Sequence, residues 1–259
     1  MIYQCFLDDS KDATQTQMYV CGGFVGKRDE WTSFRLQWDA RLQGEGMKYF
    51  KSSEYKMLCG EFARFRALPK PEGRNAAKRV RDDLLNIIRN HSNLRWVGVC
   101  VPLEEWNTVA QRPEAAGIIT HPYRRAIESM FVEVVKRGFR RITWNRNSRV
   151  EFVHDDGPDS PELSELYAAF KKLNPKTAKY MIGFSSRDDK VHPPLQAADL
   201  AANHTLELGM EWLANGKIVP ELSDMKESVG FLVTWREDYA RGVLKHELKR
   251  RGLAVPSDL

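Results

Sequence analysis

The chain is predicted to fold as one α/β domain around a mixed sheet. Residues 2–26 hold two strand-like runs joined by a polar turn. Beyond them, short apolar runs alternate with amphipathic helical ones. No segment in 259 residues is long and polar enough to act as a linker between domains; the Pro/Gly stretch 69–73 is the clearest break and fits a loop.

Each element follows from its local pattern. Ile2-Tyr3-Gln4-Cys5-Phe6-Leu7 is rich in strand formers and runs into Asp8-Asp9-Ser10. Polar residues 10–17 make a turn and Met18 to Gly26 a second strand, giving a hairpin. Residues 28–43 form an amphipathic helix ended by Gly44 and Gly46. Met47 to Lys51 is a short third strand, Ser52-Ser53-Glu54 a loop or helix cap, and 55–67 a helix. Helix 75–91, strand 94–101, helix 103–110, helix 121–138, strand 150–154, helix 161–173 and strand 179–185 follow. Residues 216–259 are expected to be a helical, basic extension packed on the domain formed by 1–215, with Lys245, Lys249, Arg250 and Arg251 near its end.

The stretch from Val191 to His204 poses the sharpest question. Two prolines open a helix, where a missing N–H costs nothing. At about 100° per residue, Leu195, Ala198, Ala202, Leu206, Met210 and Leu213 share one apolar stripe. Asp199 lies roughly 40° from Leu195, inside that stripe. A carboxylate on a buried face needs a partner. A divalent metal shared with the first strand is the expected partner; a hydroxyl or arginine is the plain alternative.

Composition sets the outer limits. Lys and Arg (40) exceed Asp and Glu (35), giving +5, which permits a polyanionic partner without requiring one. Cys5, Cys21, Cys59 and Cys100 show no CxxC spacing and fit reduced thiols in a cytoplasmic protein, although Cys5 and Cys21 are candidates to face each other across the hairpin. Met1 leads directly into a strand, so no leader is expected, and no apolar run approaches a membrane span. Zinc-type Cys/His spacing, a Walker loop and GxGxxG are all missing from the sequence. Oligomeric state is left open.

Asp8 at the end of the first strand, Asp155 at the end of a later one and Asp199 on the helix sit where α/β sheets gather ligands. Crowded carboxylates repel unless a cation bridges them, and hard oxygen donors select Mg²⁺ or Mn²⁺. Two such ions about 4 Å apart can activate water against a phosphodiester. Each aspartate also has a plain explanation: Asp8 and Asp155 suit turns, and Asp156 is the alternative ligand if the strand slips by one. Asp9 is expected on the opposite face. Gln196 and Asn203 lie near Asp199 on the wheel, either orienting it or as ordinary surface amides. His192 is a candidate for the rim, His204 is expected to be solvated, and His154 to face away from Asp155.

Four stretches together resemble one family. Phe6-Leu7-Asp8-Asp9-Ser10, Tyr49-Phe50-Lys51-Ser52-Ser53-Glu54, Val150 to Asp156 and Pro193 to Ala202 look like the domain-of-unknown-function (DUF) 3800 family. The resemblance covers most of residues 1–210, and Leu195 to Ala201 is its most specific part. It implies a ribonuclease H-like mixed sheet flanked by helices, a metal-dependent nuclease activity, and an acidic cluster of Asp8, Glu54, Asp155 and Asp199 serving as catalytic residues and metal ligands. Many members have Asp-Glu-Ser at 8–10 and His at the position of Lys51, and a plain role for Glu54 is a solvated first-turn residue. Arg64-Phe65-Arg66, Arg137 to Arg149 with Trp144, and Lys176 to Lys190 mix basic and aromatic residues as a nucleic-acid track does, or as a solvated face does. The expectation is a nuclease acting on DNA or RNA. The alternatives are a non-catalytic nucleic-acid- or protein-binding module on the same fold, and protein interaction through the basic C-terminal helix.

Overall fold

The computed structural model describes residues 1–119, 121–141, 144–216 and 229–259. Six strands form one sheet in the order β5-β4-β1-β2-β3-β6. These are β1 (Ile2–Lys11), β2 (Met18–Lys27), β3 (Arg95–Pro102), β4 (Arg149–Asp155), β5 (Met181–Arg187) and β6 (Val229–Thr234). β1 pairs antiparallel with β2, and β2 antiparallel with β3; β4 runs parallel to β1, β5 to β4, and β6 to β3. Antiparallel pairing suits the short hairpin, whereas the parallel strands require crossovers, which the helices supply.

The helices are α1 (Arg28–Gly44), α2 (Ser52–Met57), α3 (Ala63–Arg66), α4 (Glu72–Asn90), α5 (Leu103–Ala110), α6 (Pro122–Arg141), α7 (Ser160–Leu173), α8 (Pro175–Ala178), α9 (Pro193–Asn215) and α10 (Glu237–Arg250). Side chains alternate across β1, so successive residues feed two cores. Leu7 joins Phe131, Val134 and Leu244, from β1, α6 and α10, on one face. Phe6 joins Trp31, Trp38, Val80 and Leu200, from α1, α4 and α9, on the other. Trp235, Ala240, Leu244 and Leu248, near the C-terminus, belong to the same core cluster as Tyr3.

α9 lies flat on the strands because the sheet offers glycines beneath it. A Cβ on Gly22 of β2 would stand 2.6 Å from Ala202 Cα, and one on Gly98 of β3 would stand 3.0 Å from Thr205. From Pro193 to Ala202 every residue of α9 is buried. α1 contributes Trp38, whose indole N–H donates to Gln196 Oε1 at 2.8 Å.

Three sequence expectations are corrected. Residues 47–51 form no strand: Met47 and Phe50 pack into the core, and the Phe50 N–H donates to the Gln196 side chain at 3.0 Å instead of to a strand. The helix expected over 55–67 is divided. Leu58 takes φ +48° and Gly60 φ +52°, which stop α2 before α3 begins. The C-terminal extension is not wholly helical. Val229-Gly230-Phe231-Leu232-Val233-Thr234 is β6, whose β-branched and aromatic residues suit a place on the free edge of β3. The first stretch of that extension, 217–228, lies outside the described residues, as do 142–143 of the basic connector.

The cysteines do not face each other: Cys5 lies opposite Val25 and Cys21 opposite Asp9, and all four thiols are free. No helix among the described residues is long and apolar enough to cross a membrane.

Gly22→Ala forces a methyl group against the backbone of α9. Overpacking of this kind costs about 1–3 kcal/mol. Urea unfolding of the variant should show a lower midpoint with an unchanged slope; an unchanged midpoint would contradict the direct seating of α9 on β2.

Candidate active site

Asp8, Asp155 and Asp199 line one open cleft of about 470 Å³. The sheet brings the first two together. Leu7 pairs with His154, so Asp8 and Asp155 are the next residues along adjacent parallel strands, on the face covered by α9. Asp199, 6% exposed, comes down from α9 onto the same place. Asp9 takes the other face of the strand, where Tyr19 hydrogen-bonds to it. Asp156 is exposed, its N–H donating to the Arg187 carbonyl at 2.9 Å, so Asp155 and not Asp156 is the strand-end carboxylate of the cleft.

Each aspartate is held differently. Asp199 Oδ2 accepts the Ser52 N–H at 2.5 Å, and its Oδ1 accepts Asn203 Nδ2 at 2.9 Å. Asp155 Oδ1 accepts the Asp189 N–H at 3.1 Å, and its Oδ2 lies 3.8 Å from Lys51 Nζ. Asp8 accepts the Asp9 N–H at 2.8 Å. Burial, followed by the charges of Asp199, Asp9 and Asp155, raises Asp8 well above the ordinary carboxylate range. Burial also pushes Asp199 up to about 6, against the opposing pull of the Ser52 N–H and Lys51. Asp155 is raised by burial and by the charge of Asp189, with Lys51 opposing.

Lys51 is the cation in this group. Its ammonium donates to Asp189 Oδ2 at 2.5 Å. Burial works against its charge, but the hydrogen bond and charge of Asp189, with Asp155 and Asp199 behind, hold its pKa above that of a free lysine. Lys11 and Lys56 also line the cleft, Lys56 donating to Asn203 Oδ1 at 2.6 Å.

Glu54 is not drawn into the cleft. Its carboxylate accepts the Tyr49 hydroxyl at 2.9 Å and the Glu61 N–H at 2.8 Å. A Cβ on Gly60 would strike it at 1.9 Å, so Glu54 fills the turn between α2 and α3. Gln196 is an internal brace, accepting from Trp38 and Phe50 and donating to the Asp189 carbonyl at 2.9 Å. His204 is buried against Trp96, with ring centroids 5.4 Å apart, and not solvated as expected; α9 is covered on that side too. His192 sits beside Arg187, and buried His154 packs edge-on to Tyr123 across the sheet from the cleft. Phe65 and Trp144, from two of the basic stretches, are core residues, whereas Phe139 of the second stretch is exposed; Trp144 stacks on Tyr3 at 4.8 Å. Neither Phe65 nor Trp144 is free to stack on a base.

The rim is built by the turn after β1. Asp12 is buried, and its carboxylate accepts the N–H groups of Thr14, Thr16, Gln17 and Met18 and the Thr14 hydroxyl. Burial opposes its charge, but those hydrogen bonds outweigh it and hold Asp12 well below the usual carboxylate range. The sequence pattern does not single out Lys51, Asp189 and Ser52 as partners of the aspartates. The acidic pair Asp188-Asp189, separated from the prolines by Lys190-Val191-His192, is the available signal for one of them.

Among the described residues, no group of three or more His, Cys, Asp and Glu side chains is arranged to hold a metal ion. Asp8 and Asp199 repel each other, and among the described residues the Asp8 carboxylate accepts the Asp9 N–H. A second cavity, about 370 Å³, opens between α6, α7 and α10 on the other face. Its arginines Arg124, Arg125 and Arg250 are already paired with Glu162, Glu128 and Glu247.

The raised carboxylates set a pH dependence. In chelator, the native state keeps its protons on Asp8 and Asp199 to higher pH than the unfolded chain does. The contribution of Asp199 to stability is therefore present at low pH and is lost as pH rises from the ordinary aspartate value of 3.8 through about 6, and Asp8 acts in the same direction. Asp8→Asn removes one of the repelling charges. It should gain on wild type as pH rises from the ordinary aspartate value of 3.8 toward neutral, where the wild-type carboxylates ionise against one another. The check is the difference in urea midpoints across that range with EDTA present; a variant that falls behind wild type at pH 8 contradicts the repulsion between Asp8 and Asp199.

No family model, curated protein or solved structure matches the chain.

Proposed function

We propose that the cleft hydrolyses nucleic-acid phosphodiester bonds with the help of Mg²⁺ or Mn²⁺, on a ribonuclease H-like sheet. The observation that carries this reading is the convergence of Asp8, Asp155 and Asp199, from β1, β4 and α9, on one open cleft edged by lysines. A central strand flanked by an antiparallel and a parallel neighbour, with a helix crossing it, supports the finer fold assignment. The resemblance to the DUF 3800 family points the same way.

Asp8 and Asp199 would hold the ion, with Asp155 beside them. When bound, a divalent ion stabilises charge on the phosphoryl oxygens and favours ionisation of water. The chain's own groups do the rest. Asn203 and the Ser52 N–H fix the rotamer of Asp199, so its carboxylate need not reorganise. Lys11 and Lys56 draw a phosphate backbone toward the cleft. Glu54 acts at a distance, holding the turn that follows Ser52.

A binding module without chemistry is the second reading. It is favoured by the lack of an assembled three-carboxylate group among the described residues and by the lysine already seated beside Asp155.

The test is cleavage of labelled single-stranded, duplex and branched DNA and of RNA, with Mn²⁺ and Mg²⁺, beside Asp199→Asn. The expected result is metal-dependent cutting that falls at least 100-fold in the variant, a loss of about 2.7 kcal/mol of transition-state stabilisation at roughly 1.4 kcal/mol per tenfold. Cutting that survives the substitution removes the cleft from the reaction. Binding without cutting by both proteins supports the module.

A further inference from the structure

We propose that Arg35 and Arg187 form a phosphoryl-binding pocket that holds a backbone phosphate of the nucleic acid beside the cleft. This rests on the nucleic-acid reading above and adds to it a contact outside the carboxylate site.

The pocket is an open hollow of about 280 Å³ between α1 and the sheet, where Arg28, Arg35 and Arg187 meet Gln4 and Glu151. Arg28 and Arg35 lie two turns apart on α1 and share one side of the helix. Arg187 ends β5 directly opposite Asp155 in the register, so both side chains start on the same face of the sheet. In strand order Asp155, on β4, stands between Arg187 on β5 and Asp8 on β1.

The one carboxylate of the hollow does not neutralise these two arginines. Glu151 accepts Gln4 Nε2 at 2.9 Å and pairs with Arg28 at 3.4 Å. Among the described residues, neither Arg35 nor Arg187 is in an ion pair, and Arg35 Nε is buried without a hydrogen-bond partner. Arg187 Nη1 donates to His192 Nε2 at 3.4 Å, and an accepting imidazole nitrogen brings no charge to balance it. Burial and the charge of Arg187 hold Arg35 below the ordinary guanidinium value, and Asp39, one turn along α1, opposes them only in part. Ser185, two residues before Arg187 and on the same face, keeps a buried hydroxyl without a partner.

Two guanidiniums that repel each other across an open hollow are stabilised by an anion between them. Their forked donors match the oxygens of a phosphoryl group. A strand held there by one phosphate runs past Asp155 to the cleft. Such a contact reads no base; it fixes the register of the strand against the carboxylates.

The experiment is fluorescence anisotropy of labelled single-stranded DNA and RNA oligonucleotides over a salt series, with EDTA present, for wild type, Arg35→Gln and Arg187→Gln. Phosphorus NMR of inorganic phosphate accompanies it. Oligonucleotide affinity is expected to fall about tenfold in each variant, and the slope of log affinity against log salt by about 0.7, the share of one phosphate contact. The inorganic phosphate signal should broaden with wild type and stay sharp with both variants. Unchanged affinity and slope in both variants overturn the proposal, and metal-dependent cutting by wild type then leaves the nuclease reading intact. Broadening that the variants lose while oligonucleotide binding is unchanged also overturns it, because the pocket then takes free phosphate. No oligonucleotide binding by wild type overturns it as well. Weakened binding in the variants of a chain that cuts nothing supports the pocket and removes the nuclease reading. If Arg35→Gln does not fold, Arg187→Gln, on an exposed residue at the end of an edge strand, answers alone.

Discussion

The direct contact of α9 with the glycines of β2 and β3 is the constraint on which the site depends. Ordinary side chains keep packed layers of backbone apart, as in stacked sheets about 10 Å from each other. Here Gly22 lets the backbone at Ala201 and Ala202 settle lower, and Gly98 leaves room for the Thr205 side chain. That seating turns a buried helix into a structural floor and carries the Asp199 carboxylate down to the level of the strand-end acids. Alanines at 197, 198, 201 and 202 complete the fit from the helix side. Small residues on both surfaces are weak contributors to hydrophobic burial one by one. Their value lies in distance, and distance fixes how strongly the aspartates feel one another.

Gathering like charges under a helix is unfavourable, and the surrounding chain meets that cost in pieces. Ser52 gives a backbone N–H and Asn203 a side-chain amide to Asp199. Lys51 gives its charge to Asp155 and Asp189. The residual repulsion falls on Asp8, which has its neighbour's N–H and little else. Unfavourable electrostatics concentrated on one carboxylate in a cleft is characteristic of functional sites.

Much of the fold was legible because periodicity is a local property. The hairpin, the helices from α4 to α7 and the long motif helix all follow from apolar spacing within a dozen residues. Residues 47–51 misled because adjacent Tyr49 and Phe50 are strand formers, whereas Phe50 is tied to Gln196, 146 positions away. β6 was hidden for a related reason: a short apolar run near a helical tail gains strand character from the open edge of β3. At the site, Asp8, Asp155 and Asp199 were readable as carboxylates at strand ends and on an apolar stripe. Lys51 and Asp189 were not, since a charged residue beside a loop looks solvated until the loops meet. Glu54 shows the converse: it stands close to the cleft in sequence, yet its carboxylate turns to Tyr49 and Glu61.

The Asp12 turn has a bearing on how the cleft meets a ligand. Four backbone N–H groups converge on one carboxylate whose depressed pKa keeps it ionised far into acid. The loop's conformational entropy is thus surrendered when the chain folds, not when something enters. The mouth beside Ala13 and Lys11 is an inherited shape. A long flexible polymer arriving there has its own freedom to lose, and the protein adds nothing to that loss on this side of the cleft.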